Sequence, residues 1–567
     1  MRARAIAGLV LVTLVVAALS LWVVRGQPTG DVLLPPLDST RPLPQGGFWV
    51  GGCSEPPHLN PFTTTDAVAR SLVLRYTHDT LLERDPVTGD VVPAIAELVE
   101  ANEAGTELSV RLRPGATFSD GSPLAVDDLE FVFRAAQAPG MQLGAVAEAF
   151  GLLRDFTRTG ERSFRLSLAV PHFKARDTIG TTYPVLQARF WRAAVAAQAA
   201  EARVDVPAVG SAAFATLLGR VRLPGPGTGA YALAHDRTSG EIAWRRGTDL
   251  VLVQNAASWR RAAQPRRWNL MGMRLRFLPD PAARLAELRA GRLDWYADED
   301  AEAVLAADPQ LQERMRLLEY VSPRLGHQMV VWNTRRPPFS DVRVRQALSM
   351  LFDRAAIAAK LMRGHGTPAA AWFRPDDPEY PDDLPPVPFD PGAARALLEA
   401  AAVTSDDAPC TISILVANQM ALHRRILEEA VPAFAVAGLR LAIEQREWAE
   451  VVSRYESRDF DAVLMNWNHE PWIDPYANFH STQADPPGKN YSGLRDVEVD
   501  ALLERGRVEF DAAARAVCYR RLAHRLRDLE PVSLLVHPRL TLLIDRRFHG
   551  AEPGPLGIVA DRMWVDA

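Results

Sequence analysis

Helix and strand signals alternate along most of this chain, and that alternation constrains the fold more than any other feature. Asp280-Pro281 reads as an N-cap with proline at the first helical position; Leu285 and Leu288 then face a core, and Gly291 stands where a C-cap belongs. Leu293 to Tyr296 reads as the following strand. Asp341 to Gly364 repeats the arrangement, with Asp341 as N-cap, Val344, Ala347, Leu348 and Leu351 on one helical face, and Gly364 as the stop. Earlier in the chain, Leu108, Val110 and Leu112 alternate with polar neighbours as in a half-buried strand, closed by a turn at Arg113-Pro114-Gly115. Leu129, Val132, Phe133 and Ala136 follow at helical spacing. Elements interspersed in this way predict an α/β or mixed class. A chain of 567 residues also exceeds the roughly 250–300 residues that one core holds, so more than one lobe is expected. Ala193 to Gly229 and Pro375 to Pro391 read as surface loops or inserts, the first with an Ala-rich helix.

The N-terminus predicts the compartment. Arg2 and Arg4 precede an apolar run from Ala5 to Val24, which is long enough to span a bilayer. Charge at the extreme N-terminus favours that end staying in the cytoplasm, so the rest is expected to be exported. Ala18-Leu19-Ser20 offers a small-x-small cleavage site. The apolar run continues past it to Val24, which favours an uncleaved inner-membrane anchor over a removed signal peptide. Residues 26–46, rich in Pro, Gly, Ser, Thr and Asp, read as a linker from this 1–25 segment to the folded body. The formal net charge is -5, and Arg pairs such as Arg266-Arg267 are scattered. No nucleic-acid partner is expected from that distribution. Three cysteines, Cys53, Cys410 and Cys518, allow at most one internal disulfide, and no spacing suggests zinc.

Several local motifs now line up in one order: Glu55-Pro56-Pro57-His58-Leu59-Asn60-Pro61, Pro93-Ala94-Ile95-Ala96-Glu97, Leu112 to Leu124 with Asp127-Asp128, Gly227 to Tyr231, Asn255 to Trp259, Gly291-Arg292-Leu293-Asp294, and Asn333 to Leu348. In this order they resemble the family 5 extracellular solute-binding proteins, the dipeptide- and oligopeptide-binding components of ABC importers. Ala125 stands where the family usually places a Thr N-cap, a loss of about 1 kcal/mol, and Ala230 replaces the usual Pro. The resemblance implies a periplasmic-binding-protein-like clamp: two mixed α/β lobes joined by a hinge, with an additional insert lobe. The first lobe would comprise 47–85, 225–322 and 534–567, the insert 86–224, and the second main lobe 323–533. It also implies a monomer that closes on a peptide or peptide-like solute and hands it to a permease, with no catalysis and no cofactor.

The segment Asn466 to Phe479 is where ligand chemistry is expected. Relatives carry "W-x-x-D" and then "D-P-x-x-F" here, and in peptide-binding members the first acid pairs with the ligand's α-amino group. This chain has Trp467 and Glu470 at that spacing, then Asp474-Pro475 and Phe479. The stretch is about one residue longer than the pattern and Glu replaces Asp, so the amine contact stays open between Glu470 and Asp474. An enclosed ammonium needs a carboxylate to replace its lost hydration, and aromatic faces such as Trp467 and Trp472 can pack on varied side chains or on the cation. Asn468 completes the candidate set. Alternatively, Trp467 and Trp472 are core residues and Asp474 caps a turn. A hydrolase using Glu470 and Asp474 as an acid/base pair has no accompanying nucleophile motif, and His469, Glu470, Asp474 and His480 match no standard metal spacing. A membrane-tethered sensor using the same clamp is the other alternative, and nickel chelates, haem or sugars are alternative solutes of the family.

Overall fold

The computed structural model describes residues 46–567, apart from 145, 236–241, 265–266, 298–300, 321–325, 376, 404–408, 468–473, 555 and 567. The apolar run Ala5–Val24 and linker residues 26–45 lie outside these residues, and Gly46 already belongs to the first strand. Among the described residues no helix is long and apolar enough to cross a membrane.

The described residues divide into two units: those within 321–540 form one, and those within 46–320 together with 541–567 form the other. The split unit is built on a five-stranded sheet. Its first strand, Gly46–Cys53, lies parallel to Leu270–Phe277, which pairs antiparallel with Asp249–Gln254. Leu250 to Gln254 are buried on both faces, as expected of a central strand. A four-stranded antiparallel sheet of Ala96–Ala101, Glu107–Leu112, Ser163–Leu168 and Leu153–Arg158 follows inside the same unit. Leu108, Val110 and Leu112 point inward from it, and the helix Val126–Ala136 covers them with Leu129, Val132 and Phe133. Ala125 leaves that helix without a capping side chain, and Asp128 compensates by accepting from the Ala125 N–H at 3.0 Å.

Buried ion pairs tie the separate pieces of this unit together. Arg260 contacts Asp79 and Glu83, each at 2.7 Å; Arg267 contacts Glu83 at 3.0 Å and Asp561 at 2.7 Å; and Arg75 reaches Asp561 at 3.5 Å. Asp294, the last residue of the Gly291–Asp294 motif, accepts from the Val50 N–H and from Arg547, so its work is structural. Gly291 adopts φ 72°, and Asp280 caps Pro281–Arg289 as its sequence predicts. One expectation fails on this helix. Leu285 is only half-buried, and the buried position beside Leu288 belongs to Arg284. Arg284 donates to the carbonyls of Leu278 and Pro279, and its stem lies where a Cβ on Gly52 would come within 2.6 Å.

The continuous unit carries a six-stranded mixed sheet in the order Gly366–Pro368, Val532–Pro538, His327–Trp332, Ala462–Trp467, Cys410–Ala417, Leu439–Arg446. On one face Val330, Trp332, Leu464, Ile412 and Ile414 pack with Ile426, Leu427 and Phe434 of the helix Ala421–Val436. The expected single helix from Asp341 to Gly364 is broken. Val342–Ser349 stops, and Asp353 starts a new helical segment by accepting from the Ala356 N–H at 2.8 Å.

The strands that leave and re-enter the two units are neighbours. Met315–Tyr320 and Leu540–Asp545 are adjacent in a three-stranded sheet of the split unit, where Trp295–Tyr296 completes the order on the far side of Leu540–Asp545. His327–Trp332 and Val532–Pro538 are adjacent in the six-stranded sheet. The second crossing between the units falls at 540/541, because Val532–Pro538 belongs wholly to the six-stranded sheet.

Candidate functional site

One end of the central strands of the six-stranded sheet gathers the candidate chemistry. The strand His327–Trp332 begins there, while Ala462–Trp467 and Val532–Pro538 end there, with His327 directly opposite Trp467. Side chains alternate across a sheet. His327 and Trp467 therefore share the face opposite the apolar core of the helix Ala421–Val436, and their neighbours Gln328 and Asn466 share the other.

On the His327 face the rings form a continuous set. Trp467 lies 5.8 Å from Trp372 and 6.3 Å from Tyr491; Trp372 lies 4.7 Å from Phe479 and 4.6 Å from His327; and His327 lies 5.6 Å from His537. Trp372 and Phe479 are buried, whereas Trp467 and Tyr491 remain half-exposed. Buried rings thus back two half-exposed ones. His537 engages the Gly326 carbonyl through Nδ1 at 2.9 Å, and burial pushes its pKa down, so the ring is neutral near pH 7.

The segment that carries Tyr491 is suspended from guanidinium groups. Arg458 donates to the carbonyls of Ala484 and Gly488 and stacks under the Tyr491 ring at 4.7 Å. Arg335 also donates to Ala484, and Asn490 donates to Phe479, His480 and Leu494. Gly493 has φ 74°, and a Cβ there would meet Arg335 at 2.1 Å. These bonds fix the platform before any ligand arrives, which lowers the ordering cost of binding.

Of the residues singled out from sequence, Trp467 and Asp474 are described, and Asn468, Glu470 and Trp472 lie outside the described residues, as does His469. Trp467 is the last residue of its strand and part of the ring set. Asp474 is turned into the protein: its side chain is 2% exposed, it accepts from Arg507 Nε at 2.8 Å, and it accepts from the Tyr476 N–H at 3.1 Å. Arg507 lies 3.7 Å over the Tyr476 ring. His480 is engaged with Thr482 and Glu504. No group of three metal-ligating side chains occurs among the described residues. Cys53, Cys410 and Cys518 form no disulfide, and burial pushes the Cys53 thiol pKa well up.

Sequence reasoning missed Trp372, His327, Tyr491 and His537. Trp372 and Tyr491 sit in irregular segments with no periodicity to flag them, and His327 and His537 occupy strand ends where a polar residue reads as a boundary.

Residues 90–490 match the profile of the bacterial extracellular solute-binding proteins, family 5. The chain belongs to this family. Among its relatives in the family, the oligopeptide-binding protein AppA of Bacillus subtilis is 22% identical over 535 residues, covering 91% of this chain and 90% of AppA. The structure of AppA in complex with a nonapeptide matches with a TM-score of 0.70 at 20% identity, over 91% of this chain and 98% of that one. NikA from Brucella suis, in complex with Fe(III)-EDTA, matches with a TM-score of 0.73 at 18% identity, over 91% of this chain and 100% of that one. These structural likenesses establish the periplasmic-binding-protein fold. The family 5 assignment also accounts for the motif residues that do only structural work, such as Asp294, Asp280 and Asp341.

Proposed function

We propose that this family 5 protein is the extracytoplasmic receptor of an ABC importer, that it takes a peptide or peptide-like solute, and that the ring set around Trp467 is the solute wall of the continuous unit. The observation that carries the reading is the half-exposed Trp467–Tyr491 pair, backed by buried rings and standing directly before the segment that relatives use for the ligand amine. The nonapeptide bound by AppA and its length-wide similarity support a peptide. Asp474 already balances its charge against Arg507, so we assign the ligand's ammonium to Glu470, with Trp467, Asn468 and Trp472 as neighbours and Asp474 as the post that holds the segment's far end. We read the protein as a monomeric carrier and not a catalyst, held at the outer face of the inner membrane by residues 1–25. The Fe(III)-EDTA complex of the NikA structure shares the fold, so the choice between peptide and chelate rests on the ligand itself.

Native mass spectrometry of the purified protein identifies what co-purifies, and a peptide with a free N-terminus is expected. With such a peptide, Glu470→Gln should weaken binding a few hundredfold or more, the affinity equivalent of about 3–5 kcal/mol for breaking an enclosed ion pair. N-terminal acetylation should cost the wild type a similar factor and the variant little more. Independent, additive losses would remove Glu470 from the site, and a co-purifying metal chelate with no peptide affinity would end the peptide reading.

A further inference from the structure

The Trp467 wall has a polar counterpart on the opposite face of the same strand ends. His423, in the first turn of the helix Ala421–Val436, is 2% exposed. Its Nε2 lies 2.6 Å from Gln328 Oε1 and 2.6 Å from Asn466 Oδ1. Gln328 and Asn466 are themselves cross-strand partners. Around them the same face is apolar: Val330, Leu464, Ile426 and Leu427 are all buried.

A polar triad in such a place does not add the stability that apolar packing would, and its best-attested use is to specify one arrangement over its neighbours. The arrangement at stake is concrete. Because side chains alternate along a strand, a shift of one residue exchanges its two faces. With Asn466 held toward the helix, Trp467 has to project from the other face, where it meets Trp372 and Tyr491. With Asn466 released, an alternative becomes available in which the indole turns toward the apolar core. Gln328 imposes the same condition on His327, whose ring stands 4.6 Å from Trp372. One imidazole N–H shared by two amide oxygens therefore sets the last residue pair of two strands.

We infer that His423 is a positioning residue for the solute wall: by holding Gln328 and Asn466 it fixes the register and rotation of the strand ends that present His327 and Trp467. The inference rests on the reading of Trp467 as part of that wall, and it names a buried residue on a different element.

The test needs no ligand, so failure of the peptide reading and failure of this one are distinguishable. The full chain is labelled with 5-fluorotryptophan and examined by fluorine NMR, with Trp467→Phe identifying the Trp467 line among the 13 tryptophans. In the wild type that line should be single and narrow. His423→Leu leaves the buried Gln328 amide and the half-buried Asn466 amide without their shared partner and should lower the melting temperature. The triple variant Gln328→Leu, His423→Leu, Asn466→Leu removes the unmet polar groups and should recover most of that loss, yet its Trp467 line should split or broaden. His423→Gln keeps a donor at the same place and should restore a single line. A single narrow Trp467 line in the triple variant, wherever it falls, overturns the inference. Should the triple variant fail to fold, His423→Leu below its melting point gives the same decision: two populations support the role, and one narrow line refutes it.

Discussion

Replacing Asp474 by Asn separates a structural carboxylate from a ligand-reading one. The substitution preserves shape, and the new amide oxygen can still accept from the Tyr476 N–H, now at 3.1 Å. What it removes is the charge that faces Arg507 Nε at 2.8 Å, where the Asp474 side chain is 2% exposed and that of Arg507 is 32% exposed. Breaking a fully buried pair costs about 3–5 kcal/mol, and breaking an exposed one costs less than about 1 kcal/mol. Arg507 retains access to water and its place over the Tyr476 ring, so the expected loss lies between these limits, at about 1–3 kcal/mol. For a unit of the size of residues 321–540, each kcal/mol lowers the melting temperature by about 2–4 °C. Calorimetry of Asp474→Asn should therefore show the melting of that unit depressed by roughly 3–10 °C. Arg507→Gln should lose a similar amount, and the double variant little more than either alone. Titration of a free-N-terminal peptide into Asp474→Asn, below its melting point, should keep affinity within about tenfold of wild type. Unchanged melting together with an affinity loss of a few hundredfold would refute the reasoning and return the ammonium to Asp474.

Acid should weaken both units through buried neutral histidines. Burial pushes His423 and His78 down to about 4 from an ordinary 6.5, so the unfolded chain takes up protons near pH 6.5 that the folded chain refuses until about pH 4. Stability is then fully present above about pH 6.5 and lost as pH falls through that window, at about 2 kcal/mol per histidine between pH 7 and 5. Urea titrations at the two pH values check it: His423→Gln should flatten the pH slope of the continuous unit, and an unchanged slope would contradict the assignment. As for the N-terminal segment, fractionation of cells expressing the full chain should leave the protein with the inner membrane until detergent is added. A mature protein in the soluble fraction beginning near Leu21 would show cleavage instead.

How far the sequence reaches depends on the kind of signal. Helix starts were legible where a short side chain meets its own backbone, as Asp280 does with the Ala282 and Ala283 N–H groups. Strand Glu107–Leu112 was legible because one face is buried and the other wet. The family's order of motifs carried the fold class. Arg284 was not legible, since its burial depends on the glycine at position 52 across the sheet. Neither was the break at Asp353, where helical periodicity runs on through a real interruption. At the site, Trp467 stood out through spacing to a nearby acid, whereas Tyr491 is brought to it by a loop hung on Arg335, Arg458 and Asn490, and Trp372 by a loop whose Ala370 carbonyl accepts from Arg527. Those contacts span gaps that no local pattern records.

The order of strands in the three-stranded sheet has a consequence for how the molecule is made. Leu540–Asp545 lies in the middle of that sheet, between Trp295–Tyr296 and Met315–Tyr320. The two outer strands are synthesised first and wait for a partner that emerges more than two hundred residues later. Asp561, which joins Arg75 and Arg267, comes later still. The six-stranded sheet waits too, since Val532–Pro538, which pairs with His327–Trp332, comes at the far end of the same uninterrupted stretch. Its last strand is nevertheless made before Leu540–Asp545, so the continuous unit holds every strand of its sheet before the split unit does. The earlier-born unit closes only when Leu540–Asp545 and Asp561 arrive, so a stretch made late is the latch of one made early.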